Sequence, residues 1–130
     1  MPQPNILAVL LAAAAAMVLG ALWYSPLLFG RPWKRLAGIA SAGGAWLSYL
    51  LNFLSLLLMS YILGSILKGL GAGTVVAGLR TGFWLWAGLV ATISLGSLLW
   101  ERKSMGLYLL NNAYYLLSIW LMCLIFVFLP

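Results

Sequence analysis

Few residues in this 130-residue chain could do chemistry in an active site. The chain has no histidine, one acid, Glu101, and one cysteine, Cys123. Acid–base catalysis, covalent catalysis and metal binding use paired carboxylates, a nucleophile beside a base, or clusters of His, Cys and acidic ligands. None of these sets can be assembled from this sequence. We therefore expect no catalytic residue, no metal site and no cofactor, and we expect that the protein is not an enzyme.

Seven lysines and arginines outnumber the single acid and give a net charge of +6. These cations lie at the ends of apolar segments, and no folded polar domain stands behind them. This distribution is typical of membrane proteins, in which cations meet anionic headgroups. We expect membrane lipids, and not nucleic acid, as partners. Glu101 is followed by two cations, and we expect it to form an ion pair that joins two connections on one membrane face.

The composition places the chain in lipid. Hydrophobic residues make up 65% of it and charged residues 6%, which leaves too few polar side chains to cover a soluble domain. Four segments reach the roughly 20 apolar residues that a membrane-spanning helix needs. Their short connections force neighbouring helices to be antiparallel. We predict one all-α domain, a polytopic antiparallel bundle of four transmembrane helices over residues 5–30, 43–67, 74–100 and 105–129.

Small residues at a spacing of four mark helix faces that allow close backbone approach in lipid. One such stripe lies on the first predicted helix and two lie on the third. We interpret them as packing surfaces. The first stripe is Ala12, Ala16 and Gly20, and the other two are Gly78 with Gly82, then Gly88 with Thr92 and Gly96.

Polar residues at heptad spacing follow one face of the second and fourth predicted helices. Because an unpaired amide within the membrane is costly, we expect both stripes to face the bundle interior, with Asn52 near the bilayer midplane. There they supply hydrogen bonds between helices or a site for a polar ligand. The first stripe is Ser41, Ala45, Ser48, Asn52, Ser55 and Met59, and the second is Tyr108, Asn111, Tyr115, Ser118 and Met122, with Asn112 beside it.

The most polar and aromatic layer should lie where the first helix leaves the membrane. The antiparallel order brings its end to the same face as the start of the fourth helix. Pro26 lacks an N–H and leaves the Leu22 carbonyl without its helical partner, which Ser25 or a water could replace. Our candidate residues for binding a ligand or partner are Trp23, Tyr24, Ser25, Pro26, Asn52, Glu101, Asn111, Asn112 and Tyr115.

Basic residues predict the orientation of the bundle. The first and third connections share a membrane face and carry Arg31, Lys34, Arg35, Arg102 and Lys103, whereas the opposite side has only Lys68 and Arg80. Because five basic residues on one face outnumber two on the other, we expect the first face to be cytoplasmic and both termini to lie outside the cytoplasm. Arg80 lies about six residues inside the third predicted helix. Its side chain either extends to the headgroups or lines a site for a small anion.

Three stretches resemble the family of proteins of unknown function called DUF1761. They are GALWYSPLLFGRPWKRLAG at residues 20–38, GLRTGFWLWAGLVATISLGSLLWERKS at 78–104 and LYLLNNAYYLLSIWLM at 107–122. The resemblance implies a small bacterial integral membrane protein with four helices, located in the inner membrane. Family members usually have a longer and more acidic first connection than this chain. The resemblance implies no particular activity.

Three classes of function fit these observations to different degrees. The first, which we favour, is a non-catalytic accessory or structural subunit, working as a homo-oligomer or within a larger membrane complex. The second is a four-helix transporter or channel for a small amphipathic molecule, with the polar stripes lining the path. The third, a membrane enzyme acting on lipids, ranks last because the chain has no histidine and no pair of acids.

Overall fold

The chain folds into long helices joined by short turns. The computed structural model describes residues 2–38 and 46–130. Four of its helices are long enough and apolar enough to cross a membrane, so the chain is an all-α, multi-pass membrane protein. A fifth, shorter helix, α2, follows the first span. The helices are α1 (Ile6–Trp23), α2 (Gly30–Ala37), α3 (Trp46–Leu70), α4 (Val75–Leu99) and α5 (Met105–Phe128).

Side-chain caps set the starts of three spanning helices close to where the sequence places them. Asn5 accepts a hydrogen bond from the Leu7 N–H at 3.0 Å. Thr74 accepts one from the Ala77 N–H at 3.1 Å, and Ser104 caps α5 in the same way. These side-chain oxygens satisfy N–H groups that have no partner within the helix. The start predicted for the second helix, at residue 43, lies outside the described residues.

The first spanning helix ends at Trp23, and the prediction that it continues to Gly30 is wrong. Pro26 cannot donate to Leu22, and the Ser25 hydroxyl takes that place by donating to the Leu22 carbonyl at 2.7 Å. The chain then turns through Tyr24–Phe29 before α2 begins. The apolar residues after Pro26 belong to this turn, and their hydrophobicity does not make them helical. The other described helix ends lie within three residues of the predicted ones.

The bundle has two different ends. Both termini meet at one of them: the Asn5 amide donates to the Pro130 carbonyl at 3.5 Å, and the Lys68 ammonium donates to the Gln3 carbonyl at 3.0 Å. We call this the terminal end. The opposite end holds the turn after α1, helix α2 and the turn before α5, and we call it the loop end. This arrangement confirms the antiparallel order.

The core lies toward the terminal end, where α5 packs against α1, α3 and α4. Ala12 and Ala16 of α1 are fully buried. A Cβ atom at Gly64 would lie 2.5 Å from the Phe126 ring, and one at Gly82 would lie 2.9 Å from the Cys123 Sγ. Small residues therefore let these helices approach closely, as their spacing predicts. Gly88, by contrast, has nothing within 4 Å of a Cβ position, so the prediction of packing there is wrong.

Helix α3 is mostly exposed toward the loop end, and the prediction that its polar stripe faces the interior holds only in part: Met59 packs against the core, and Asn52 reaches Met17 of α1. Ser48, Asn52 and Ser55 are exposed. The buried face of α3 contains Ser60, whose hydroxyl donates to the Val9 carbonyl of α1 at 3.1 Å, and Gly64, whose small size lets Phe126 of α5 approach. Close packing at these two residues selects the inward face. Ser41 and Ala45 of the stripe lie outside the described residues.

Arg80 is exposed on the outer surface of α4. Its position near the start of the helix lets its long side chain reach the headgroup region at the terminal end. The alternative, an arginine lining an interior anion site, does not fit an exposed side chain. Arg80 therefore has no place in the candidate site described below.

Candidate functional site

Two adjacent aromatic residues attach the end of α1 to α5. The Trp23 indole N–H donates to the Leu110 carbonyl at 3.2 Å, and the Tyr24 hydroxyl donates to Asn111 Oδ1 at 2.7 Å. Burial, with a smaller contribution from the neighbouring Tyr115, raises the pKa of Tyr24, so the hydroxyl keeps its proton and acts as a donor. These bonds confirm that the end of the first helix and the start of the fourth form one layer.

The turn Tyr24–Phe29 closes on itself through its backbone. The Phe29 N–H donates to the Trp23 carbonyl at 2.9 Å, and the Gly30 N–H donates to the Ser25 carbonyl at 2.8 Å. A Cβ atom at Gly30 would lie 2.6 Å from the Tyr24 carbonyl oxygen and 2.6 Å from the Ser25 carbonyl carbon. Because both neighbours are backbone atoms, no side chain can move aside, and only glycine fits here.

Helix α2 covers the loop end with one face. Its Trp33 ring lies 4.8 Å from the Tyr24 ring, and its Leu36 side chain lies beside Gly106 at the start of α5. Arg31 and Arg35 are exposed on other sides of the helix. A short helix with an apolar face inward and cations outward is suited to the boundary between lipid and water. Pro32 within its first turn favours such a helix, but the sequence prediction treats this stretch as a plain connection.

A groove opens between α1, α3 and α5 beneath α2. It encloses about 550 Å³ and brings together residues from every one of these elements. Five of the sequence-predicted candidates lie within it or at its edge, and three further aromatic residues, Trp33, Tyr49 and Tyr114, complete its wall. We call it the aromatic groove; its predicted members are Tyr24, Ser25, Pro26, Asn52 and Tyr115.

Asn112 joins α4 to α5 through a buried hydrogen-bond network. Its side chain is 3% exposed. The amide nitrogen donates to the Tyr108 carbonyl at 3.0 Å, and Oδ1 accepts from the Ser94 hydroxyl at 3.1 Å. The Tyr108 hydroxyl donates across to the Ala91 carbonyl at 2.8 Å. Asn112 therefore supplies hydrogen bonds between helices, one of the two roles that its position in the sequence left open.

A π-helical segment in α4, Trp86–Val90, accompanies this network. The Trp86 indole N–H donates to the Asn112 carbonyl at 3.0 Å, and the Ala91 N–H donates to the Trp86 carbonyl in the wider π pattern. The segment accommodates one residue more than regular α-helical geometry would hold over the same length. No pattern in the sequence predicts it, although Gly88 lies within it.

A second, smaller cavity lies between α4 and α5 at the loop end. It encloses about 140 Å³, and seven of the eight residues that line it have polar side chains. Tyr115 borders both this cavity and the aromatic groove. We call this cavity the polar recess; its polar members are Ser94, Ser97, Lys103, Tyr108, Asn111, Asn112 and Tyr115.

Two predicted residues do not join this arrangement. Glu101 is exposed, and no ion pair is found for it among residues 2–38 and 46–130, so the predicted pairing with the first connection is wrong. Ser118 is buried as its stripe predicts, at 2% exposure, but its hydroxyl has no hydrogen-bond partner among the described residues. The candidates from α1 and α5 are thus brought together, Asn52 reaches the groove edge, and Glu101 lies apart.

Comparisons with known proteins place the chain by family alone. No curated protein and no solved structure matches it. A family model described as protein of unknown function (DUF1761) matches residues 7–127. This range contains all four spanning helices apart from single residues at two of their ends, together with the groove and the recess. The chain therefore belongs to the DUF1761 family.

Proposed function

We propose that this protein is a non-catalytic structural subunit of the bacterial inner membrane that assembles with a second copy of itself through the exposed polar stripe of α3. The observation that carries the proposal is the position of Asn52. Its amide is exposed on a spanning helix, about 9 Å along the axis from Trp46 at 1.5 Å per residue. This places the amide within the half of the membrane that lies toward the loop end.

Among the described residues, the Asn52 amide has one hydrogen-bond partner, and that partner is weak. The amide nitrogen lies 3.3 Å from the Met17 sulfur, which is a weak acceptor. Ser48 and Ser55 are exposed on the same side of α3. An amide left in lipid costs free energy, whereas an amide that meets another protein regains its hydrogen bonds.

A second copy fits this stripe because an amide carries both a donor and an acceptor. Two Asn52 side chains related by a two-fold axis can bond each other, and the serines can do the same. The stripe carries no charge that would repel its own copy. Small hydroxyl-bearing residues also allow two helices to approach closely in lipid. A partner of different sequence would need a matching polar stripe of its own.

The proposal includes an orientation. The loop end carries Arg31, Lys34, Arg35, Arg102 and Lys103. Under the positive-inside rule this end faces the cytoplasm, and both termini lie outside it. Accessibility of an epitope tag at Pro130 from the outer side of spheroplasts tests this. A tag that reacts only after the membrane is permeabilised would reverse the orientation without affecting the proposed assembly.

Disulfide crosslinking tests the self-assembly. The native Cys123 is first replaced by Ser, so that each variant carries one cysteine. Ser48→Cys places a thiol on the stripe, and Leu50→Cys, about 200° round the helix from Asn52, serves as the matched control. We expect copper-catalysed oxidation in native membranes to give a dimer of twice the chain mass for Ser48→Cys and not for Leu50→Cys.

Native mass spectrometry of Asn52→Leu in lipid nanodiscs provides a second measurement. Interhelical polar pairs in membranes contribute about 1–2 kcal/mol, so we expect the dimer dissociation constant to rise about tenfold. If Ser48→Cys instead crosslinks to a different protein, the stripe binds another subunit and not a second copy of this chain. A monomer under every gentle condition, with no crosslink at either site, would overturn the structural role.

The aromatic groove favours a second candidate, a transporter or channel for a small amphipathic molecule. The groove is large enough for such a ligand, and it offers the faces of Tyr24, Trp33 and Tyr49 for stacking and the Asn52 amide for a hydrogen bond. Flux of an amphipathic dye into proteoliposomes tests it. Flux that is lost in Asn52→Leu but kept in Leu50→Ala would support transport over assembly.

A further inference from the structure

The backbone between α4 and α5 carries Lys103 back over the polar recess. Arg102 has φ 55°, a left-handed conformation that a residue with a side chain rarely adopts. The Lys103 N–H then donates to the Ser97 carbonyl at 3.0 Å, which returns the chain over the last turns of α4. Strained residues of this kind persist where the surrounding structure holds them, and they cluster at binding sites. Here the strained turn places Lys103 in the wall of a cavity.

Three of the seven polar residues that line the recess already form side-chain hydrogen bonds between α4 and α5. Asn112 bonds to both Tyr108 and Ser94, as described above. The Ser94 hydroxyl also lies 2.8 Å from the Val90 carbonyl. The Tyr108 hydroxyl donates to Ala91. These bonds hold α4 against α5.

The remaining polar groups are all donors without a partner among the described residues. Asn111 Oδ1 accepts from the Tyr24 hydroxyl, which leaves its NH₂ group free to donate. Asn111, Ser97, Tyr115 and Lys103 all line the recess. No carboxylate borders it: Glu101, the single acid of the chain, is exposed and lies outside the wall. The free groups therefore favour a negatively charged acceptor.

We propose that the polar recess binds one phosphate group, held by the Lys103 ammonium, the Ser97 hydroxyl and the Asn111 amide. Charge-assisted hydrogen bonds from a lysine and neutral donors are the usual means of holding such an oxyanion. The recess, at about 140 Å³, takes a phosphate but not a ligand of drug size, which needs at least about 300 Å³. Its position at the end of two spanning helices is the depth of lipid headgroups.

The phosphate has two chemical sources, and both present the same oxyanion. One is the headgroup of an anionic phospholipid in the leaflet at the loop end. The other is a free phosphate in solution. The recess is formed by α4 and α5 and the turn between them, whereas the proposed self-assembly uses α3. Failure of one proposal would therefore leave the other unaffected.

The test uses the full chain purified in an uncharged maltoside detergent. One arm adds dioleoylphosphatidylglycerol and counts retained lipid by native mass spectrometry. The other adds inorganic phosphate and follows binding by calorimetry. Lys103→Gln and Ser97→Ala alter the recess, and Arg35→Gln is the matched control, since it removes one exposed cation from the same end of the bundle.

We expect Lys103→Gln to weaken binding about tenfold and Ser97→Ala to weaken it less, with no change in Arg35→Gln. If Lys103→Gln weakens only the binding of phosphatidylglycerol, the recess is a headgroup site. If it weakens only the binding of inorganic phosphate, the recess is a site for a free anion. Either result supports the recess. Equal binding in Lys103→Gln, Arg35→Gln and the unaltered chain, or no binding in either arm, would overturn it. The Ser97→Ala variant keeps the test valid if Lys103→Gln does not fold.

Discussion

The Tyr24 hydroxyl donates to Asn111 Oδ1 at 2.7 Å, and this bond joins two residues that are far apart in the sequence. It fastens the end of α1 to α5 at the loop end. It also orients the Asn111 amide, because an oxygen that accepts from Tyr24 leaves the NH₂ group for the other side. One hydrogen bond thus joins a residue that lines the aromatic groove, Tyr24, to one that lines the polar recess, Asn111.

The energy of this bond can be measured by a double-mutant cycle. We expect Tyr24→Phe and Asn111→Ala each to lower the free energy of unfolding, with a coupling of about 1 kcal/mol between them, since a hydrogen bond in a membrane protein contributes about that much. Unfolding in mixed micelles is the measurement. Strict additivity of the two single changes would show that the two groups do not interact.

Gly30 should tolerate no side chain. A Cβ atom there would meet the Tyr24 and Ser25 backbone at 2.6 Å, so we expect Gly30→Ala to open the turn and lower the unfolding free energy by several kcal/mol. Gly73→Ala is the control, because nothing lies within 4 Å of that position. Thermal unfolding in detergent compares them. Equal melting temperatures for the two variants would contradict the tight turn.

Asn112 should be needed for the contact of α4 with α5. Asn112→Leu keeps the volume but removes the bonds to Ser94 and Tyr108, and we expect a loss of about 1–2 kcal/mol. Leu109→Ala, at an exposed position of the same helix, should change the unfolding free energy little. Hydrogen exchange gives a local readout. Unchanged protection of residues 91–99 in Asn112→Leu would contradict the proposed contact.

Replacing Ser118, unlike the changes above, should not lower the free energy of unfolding. Its hydroxyl is buried and has no partner among the described residues, so its removal relieves a desolvation cost and creates only a small space. We expect Ser118→Ala to leave stability unchanged or to raise it by up to about 1 kcal/mol. The same unfolding measurement decides this. A clear loss of stability would contradict the prediction that this hydroxyl is buried without a partner.

The number of spanning helices and their starts follow from the sequence because both depend on local properties. Apolar length alone predicts a membrane span, and Asn5, Thr74 and Ser104 are residues that cap helices well. The shared layer of Tyr24 and Asn111 follows from the antiparallel order. These features need no knowledge of how the helices pack.

Features that depend on packing are harder to predict. Leu27, Leu28 and Phe29 have the hydrophobicity of a helix, but Pro26 and Ser25 end α1 before them. Polar periodicity on α3 marks a face without saying what lies opposite it, and small residues elsewhere on the helix decide which face is buried. The polar recess depends on a left-handed Arg102, a conformation for which the residue type gives no signal.

The π-helical turn of α4 bears on how well this helix tolerates a change in length. Hydrogen bonds from α5 reach the Leu79 carbonyl before the turn and the Ala91 carbonyl after it. The extra residue sets the angle between these two attachment points. Deleting Gly88 would remove the extra residue and convert this turn to regular α-helix. The Leu79 and Ala91 carbonyls would then be separated by about eleven steps of about 100°, which returns them to within about 20° of the same face, so both would still face α5. A single-residue deletion in α5 between Tyr108 and Trp120 has no extra residue to absorb it, and it should do more harm because it would rotate one of these donors away from α4 by about 100°.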